Sequence, residues 1–445
     1  MPGYPAQAYV HPNGRVYEGT YTNPLGDPLR SRVLEYTADG TLTRSWTVPG
    51  QTLSAEHGIQ VTTSDSRGRL VLLDRTPARA LKLDRNTGAF STYATFPDLR
   101  PCPPLQTGPN CSPTLQDLPP VPNFGAWGPD GSLYVTDYLQ GVLWRVPPGG
   151  GAPQIWLSDR RLDGGQFGTT GIALAGDRRT LLVAQGSSAG LGAVNPATGK
   201  LYAVPIGTDG RPGAMRQLWE SRPADLPDGF GIARSGRIYV PLAGAANQIA
   251  VLAPDGREIE RFPTVPLTGD NGSGIPFDTP SSVRFLGTRI IVPNQSFVTG
   301  TRDNQNLLDV EAGEPGLVEL IPGLDRTRPV VSGVSVFQPV RPGGGGRRPG
   351  AFTGGVAQRG GAVRVRFTLS EAARVTIDAE RLTGGRWLPA LSVSRSAPRG
   401  RTTVLLPVGT RPGTLHAGRH RITVRARDEA GNRSAPVVRG LRVVG

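Results

Sequence analysis

Lysine is almost missing from this 445-residue chain: Lys82 and Lys200 stand against 49 basic residues in all. The positive charge is therefore carried by arginine, a bias that says little by itself about a binding code. Histidine is scarce as well, limited to His11, His57, His416 and His420. So few histidines give a Ser/His/Asp triad little support. Cys102 and Cys111 have no further cysteine or histidine ligands near them, which argues against a zinc site. No run approaches the roughly 18 apolar residues of a membrane-crossing helix, and the opening MPGYPAQAYV has no apolar signal core. The GGGG at 343–346 is followed by arginines instead of Lys-Ser/Thr, which argues against a phosphate-cradling loop.

What is abundant is turn chemistry. Gly (61) and Pro (43) are spread among short Val, Leu, Ile and Tyr runs instead of forming one tract, a pattern that predicts an all-β chain with many turns. The length calls for two domains, and the charge shows where to divide them. Residues 326–445 hold 22 basic and five acidic residues (+17), whereas residues 1–325 hold 27 and 30 (−3). The net charge of +14 therefore belongs to the second domain, where a solvated Arg-rich surface or attraction to an anionic cell-surface polymer, lipid or nucleic acid are the readings. Nine residues apart in RPCPPLQTGPNCSP, the cysteines could close a small disulfide, which implies an oxidising compartment. The expectation is a secreted or cell-surface bacterial protein whose signal has been removed, with a cytoplasmic location as the alternative.

One unit recurs six times: a short alternating run, a Gly-containing turn and a second apolar run. The copies are AQAYVHPNGRVYEGTY from Ala6, HGIQVTTSDSRGRLVLLD from His57, NFGAWGPDGSLYVTD from Asn123, TGIALAGDRRTLLVAQ from Thr170, DGFGIARSGRIYVPLA from Asp228 and SSVRFLGTRIIVPNQ from Ser281. A third apolar run follows each. Period-two alternation between Gly/Asp/Asn turns predicts antiparallel hairpins, and four strands per unit of this length predict a propeller blade. Residues 1–325 are thus read as a six-bladed β-propeller. The innermost strands converge on the axis, and aligning their inward positions places Ala6, His57, Asn123, Thr170, Asp228 and Ser281 at one level.

The phrases VPNFGAWGPDGSLYVTDYLQGVLWRVPPGG, GTTGIALAGDRRTLLVAQG and LPDGFGIARSGRIYVPLAG resemble the SMP-30/gluconolactonase family, and the resemblance covers nearly the whole first domain. It implies one divalent cation on the axis, held by a Glu, an Asn and an Asp. Asp228, in PDG, falls on the family's Asp, a metal ligand and the proposed base; Asn123 falls on an Asn that contacts substrate. Thr170 replaces the family's metal-binding Asn, and Ala6 stands where the Glu is expected. Glu56, in EHG, is the nearest carboxylate, one residue off the register that His57 occupies.

A hard cation wants several oxygens and a carboxylate. Asp228, Asn123, Thr170 and Glu56 are the candidate ligands for Ca²⁺, and His57, were it to ligate, would favour Zn²⁺. The implied reaction is hydrolysis of a lactone or related ester, with Asp228 or His57 as base and Asn123 and Ser281 on the substrate. The alternative is a non-catalytic extracellular propeller that binds a ligand or protein partner, its polar ring serving contacts between blades.

Beyond the Gly/Pro/Arg-rich connection near 340–361, the runs VRVRFTLS, ARVTIDAER, TTVLLPV, HRITVRARDEAGNRS and GLRVV predict a small β-sandwich. FTLSEAARVTIDAERL and AGRHRITVRARDEAGNRS resemble Ig-like modules of actinobacterial type, in which DEAGN is a turn.

Overall fold

A computed structural model describes residues 4–21, 28–103, 108, 110–189, 197–264, 277–296, 304–337, 355–358, 361–428 and 430–444. Most of the 340–361 connection, with its GGGG, lies outside the described residues. The chain divides into two compact units, Met1–Leu324 and Asp325–Gly445. Both are built of β-strands, antiparallel apart from Gly355–Gln358, which pairs parallel with Val437–Val444, and among the described residues the one helical element is a 3-10 turn, Arg160–Leu162. No helix among them is long and apolar enough to cross a membrane.

The first unit is a six-bladed β-propeller. Five blades are four-stranded sheets joined in sequence order (4–47, 59–95, 122–158, 169–223 and 231–262), and the sixth shows three strands among the described residues (284–311). Alternation explains the stacking, because each strand sends successive side chains to opposite faces. In blade 3, Leu133 and Val135 join Val71, Leu73 and Trp144 in the layer toward blade 2. Tyr134, between them, joins Phe124, Ile172 and Val183 in the layer toward blade 4. One period-two strand thus feeds two cores.

The closing layer is thinner. Between the first and sixth blades the buried apolar residues are Ala8, Val16 and Ile291. Polar contacts supplement them: the Ser281 hydroxyl donates to the Ala6 carbonyl at 3.0 Å, and the Ala8 N–H donates to Ser282 Oγ at 3.4 Å. All four strands of blade 1 come from residues 4–47, so among the described residues no strand from the start of the chain pairs with the last blade. Instead the chain after residue 311 runs across one end of the ring. The Arg234 N–H donates to the Pro315 carbonyl and the Leu317 N–H to the Ile232 carbonyl, each at 2.8 Å. Farther on, Thr63 Oγ1 donates to Glu319 Oε1 at 2.6 Å, and Ile321 packs into the layer between blades 2 and 3. This strap ties blade 5 to blades 2 and 3 from the far side of the axis.

Cys102 and Cys111 are disulfide-bonded. The loop they close is pinned besides by Ser112 Oγ, which donates to the Gln140 carbonyl at 2.8 Å, and by the Leu115 N–H, which donates to Asp163 Oδ2 at 2.9 Å. Closing a loop of this length limits the unfolded chain by about 2–3 kcal/mol. The Cys102→Ser/Cys111→Ser protein is therefore expected to unfold at a lower denaturant midpoint by about that free energy, and an unchanged midpoint would show that the other anchors suffice.

The second unit is a β-sandwich. A three-stranded sheet (Val331–Phe337, Ala362–Leu369, Gly400–Pro407) faces a five-stranded one formed by Gly355–Gln358, Val437–Val444, Gly418–Arg427, Ala373–Thr383 and Arg386–Ala397 in spatial order. Val363, Val365 and Phe367 of the first meet Val375, Ile377, Ile422 and Val424 of the second in one core.

Candidate functional site

At the end of the propeller axis where the inner strands begin lies a cavity of about 600 Å³. Asn123 enters from the strand Pro122–Trp127 and Thr170 from Thr169–Leu174; Asp228 comes from the segment just before Gly231–Ile232. All three line the cavity, and so does Glu56.

The other ring residues do not. His57 is buried with its Nδ1 2.8 Å from the Ala55 carbonyl and its Nε2 2.8 Å from the Leu29 carbonyl. With both nitrogens against backbone oxygens and the ring away from the cavity wall, His57 is placed to hold two loops together, which corrects its reading as a base. Ser281 is buried in the ring closure, its hydroxyl on the Ala6 carbonyl, and does not face the cavity as a substrate contact. Ala6 packs with Tyr4 and Tyr21.

Asp228 is the unusual group. The residue is half-buried, but its Oδ1 is sealed from solvent and has no hydrogen-bond partner. Burial pushes its carboxyl up to about 8, against a small opposing pull from the Gly229 N–H. The segment is fixed by its backbone: the Asp228 N–H donates to the Pro241 carbonyl (3.1 Å) and the Gly229 N–H to the Ser281 carbonyl (2.9 Å). Gly229 is required there, since a Cβ would lie 2.2 Å from the Phe124 ring.

The facing wall holds an ion pair, Arg75 with Glu56 at 2.7 Å, and three tyrosines, Tyr4, Tyr21 and Tyr138. Burial holds all three hydroxyls well above the ordinary phenol range, so they stay protonated donors at alkaline pH. Their neighbours are anchored from beneath. Asp74 accepts from Gln51 Nε2 (2.8 Å) and Arg79 Nε (3.0 Å), and Asp137 accepts from three backbone N–H groups and the Trp144 indole.

The arginine and the tyrosines escape the strand-start register, yet a second repeat position finds several of them. The residue shortly past the second strand of blades 2 to 6 is Arg75, Tyr138, Gly186, Ala243 and Gln295, and all five line the cavity. The mouth is built by two levels of each repeat, the entry to strand one and the exit from strand two.

As donors for Ca²⁺ these residues fall short. Asn123 Oδ1 already accepts from Gln60 Nε2 at 2.7 Å, Thr170 Oγ1 donates to the Pro227 carbonyl at 3.1 Å, and Glu56 is paired with Arg75. Ca²⁺ takes about six to eight oxygens, with carboxylates among them. The axial set of Asp228, Asn123, Thr170 and Glu56 fits the ion poorly as it stands, because Arg75 neutralises one of its two carboxylates and Gln60 already holds Asn123 Oδ1. Among the described residues the group of carboxylates close enough to hold a metal ion is in the second unit: Asp325, Glu371 and Asp428 bring oxygens within 4.8 Å of one another.

Fold and site together define a β-propeller with a polar, aromatic-walled cavity at one mouth of its axis, joined to a basic β-sandwich. No family model matches the sequence, and no curated protein matches it. Among solved structures, the chain is similar to a candidate gluconolactonase (16% identity over 72% of this chain and 91% of that one, TM-score 0.47). It is similar also to regucalcin, a calcium-binding protein from Agrobacterium tumefaciens str. C58 (15%, 73% and 95%, 0.48), and to a luciferin-regenerating enzyme (13%, 72% and 95%, 0.45). The chemistry of the cavity rests on its own residues.

Proposed function

We propose that the axial cavity hydrolyses a lactone or related small ester, with Asp228 as the proton-transferring group. The observation that carries this reading is its carboxyl: sealed and without a hydrogen-bond partner at Oδ1, and raised to about 8 in a cavity large enough for a small molecule. In its ionised form it takes a proton from water as the water oxygen bonds to the carbonyl carbon. The C–O bond to the leaving oxygen then breaks, and that oxygen takes the proton back to give the hydroxy acid. Arg75 and the tyrosine hydroxyls supply donors for the oxyanion formed between the two steps. The disulfide supports assignment of the protein to an oxidising, extracellular or surface location.

The test is a panel of lactones and esters read as kcat against pH. Activity should rise through a midpoint near 8, and Asp228→Asn, which keeps the shape, should lower kcat by about 10²- to 10⁴-fold with KM little changed. A variant as active as the parent sinks the mechanism. A second reading, a propeller that binds a ligand without turning it over, is favoured by the committed oxygens of Asn123, Thr170 and Glu56. Saturable binding with no turnover on the panel would select it.

A further inference from the structure

Beside the axial cavity lies a second one of about 450 Å³, and the two share Gln166, Phe167, Ala224 and Leu226 in their walls. Six of the residues around the second cavity are apolar: Leu115, Phe167, Ala189, Ala197, Ala224 and Leu226. Its buried polar side chains are already engaged. Asp163 accepts the Gly165 N–H on Oδ1 at 3.0 Å and the Leu115 N–H on Oδ2 at 2.9 Å, and Ser187 Oγ accepts the Ala189 N–H at 3.1 Å. Leu115 and Phe167 are nevertheless 61% and 44% exposed. Single exposed apolar side chains are ordinary, but two in one concavity mark a place for an apolar group.

The wall between the cavities has an unusual backbone. Ala224 and Leu226 have φ of 61° and 50°, a region that residues with a Cβ seldom enter. The surrounding chain holds them there. The Ala243 N–H donates to the Leu226 carbonyl at 3.0 Å and the Gly244 N–H to the Asp225 carbonyl at 2.8 Å, while buried Asp225 pairs with Arg261 at 2.9 Å. Gly244 is required, since a Cβ would lie 1.9 Å from the Ala224 carbonyl. Such conformations gather at ligand clamps, and this segment runs directly into Pro227 and Asp228 of the axial cavity.

We infer that the second cavity receives a hydrocarbon arm of the molecule whose carbonyl end occupies the axial cavity, so that the ligand is an alkyl-substituted lactone or ester. The carbonyl end rests on the hydrolytic reading of the axial cavity; the alkyl end rests on the shared wall. A polyhydroxylated lactone large enough to fill both cavities is disfavoured, because hydroxyls buried beside Leu115, Phe167 and Leu226 would lose water without gaining partners. The arm instead covers the two exposed side chains, which is favourable in proportion to the apolar area removed from water.

The experiment gives the full chain γ-butyrolactone, γ-octalactone and γ-dodecalactone. Calorimetric binding to the Asp228→Asn protein and kcat/KM of the unaltered protein are read in parallel. Each methylene buried should tighten binding about fourfold, so γ-octalactone should bind at least about thirtyfold more tightly than γ-butyrolactone. In Leu115→Ser that preference should fall about three- to tenfold, and Leu115→Met should restore it. Leu42→Ser, an equally exposed position on the outer strand of the first blade, should keep the preference within about twofold. The chain-length response of the unaltered protein needs no variant to fold. A flat response, or a preference unchanged in Leu115→Ser, would overturn the inference and leave hydrolysis of the ring standing. Length-dependent binding without turnover would keep the alkyl site and sink the hydrolytic reading. Self-association in sedimentation that Leu115→Ser abolishes would show that a second copy covers this wall, which also overturns the inference.

Discussion

Asp228→Asn is expected to be more stable than the parent protein at about pH 9 and no more stable near pH 4. The sign follows from the direction of the shift. Burial raises the carboxyl from 3.8 to about 8, so between those values the folded protein holds a proton that the unfolded chain has released. Stability of the parent therefore falls as pH rises through this window, and above it the fold must carry an anion with one oxygen sealed from solvent and without a hydrogen-bond partner. At about 1.4 kcal/mol per unit the ceiling is about 6 kcal/mol. Water admitted by the cavity reduces this, so a gain of about 2–3 kcal/mol for the amide is the expectation. Denaturant unfolding of both proteins across the range provides the check. A parent whose stability is flat from pH 4 to 9 would show that Asp228 is ionised throughout, which would also remove the basis for its role in proton transfer.

Asp137→Ala should be among the most damaging single changes in the propeller, at about 3–5 kcal/mol. Asp137 is wholly buried. Its Oδ1 accepts from the N–H groups of Val121 (3.1 Å), Leu139 (3.2 Å) and Gln140 (3.1 Å), and its Oδ2 from Trp144 Nε1 (2.9 Å). Alanine leaves four buried donors without an acceptor, which costs more than losing the bonds because none of the donors regains water. Asn keeps one oxygen for the backbone groups but turns an NH₂ toward the indole N–H or away from it, so about 1–2 kcal/mol is expected. The loss should reach function as well, since Val121, Asn123, Tyr138 and Leu139 all line the cavity and Asp137 fixes the two segments that carry them. Urea unfolding together with ligand binding separates this from an effect on stability alone. An Asp137→Ala protein that unfolds at the parent midpoint would show that the network is not what holds the strand entry.

Glu18 shows how the closing layer differs from its neighbours. It is fully buried beside that layer, where Tyr36 donates to its Oε2 at 3.1 Å, and burial pushes its carboxyl up to about 7. The other layers are filled by Leu, Val, Ile and aromatic side chains, as in the Phe124, Tyr134 and Val183 group. Closure therefore rests more on polar contacts and on the strap from residues 312–324 than on apolar packing.

Asn123, Thr170 and Asp228 were legible as cavity residues because they occupy one position of a repeat, and a propeller brings equivalent positions of its blades to the same height. The same regularity misled at His57. The entry to blade 2 passes so close to Tyr21 that a Cβ on Gly58 would meet its ring at 2.3 Å. There His57 turns to the carbonyls of Ala55 and Leu29, while Glu56 faces the cavity. Arg75 and Tyr138 lay in plain sight after the second strands, but only the assembled ring shows that those exits share the mouth with the strand entries.

The sequence by itself determined the alternation, the turns and the sixfold repeat, and with them the propeller, the sandwich and the segregation of positive charge into the second unit. These are local properties, set by which side chains can be buried on a strand and which residues can turn. Tertiary structure alone decided which oxygens at the axis already hold partners, that burial raises the Asp228 carboxyl at the cavity as it does Glu18 near the ring closure, and that arginine faces arginine across two strands. Each of these depends on distances between residues far apart in the chain, and no periodicity encodes them.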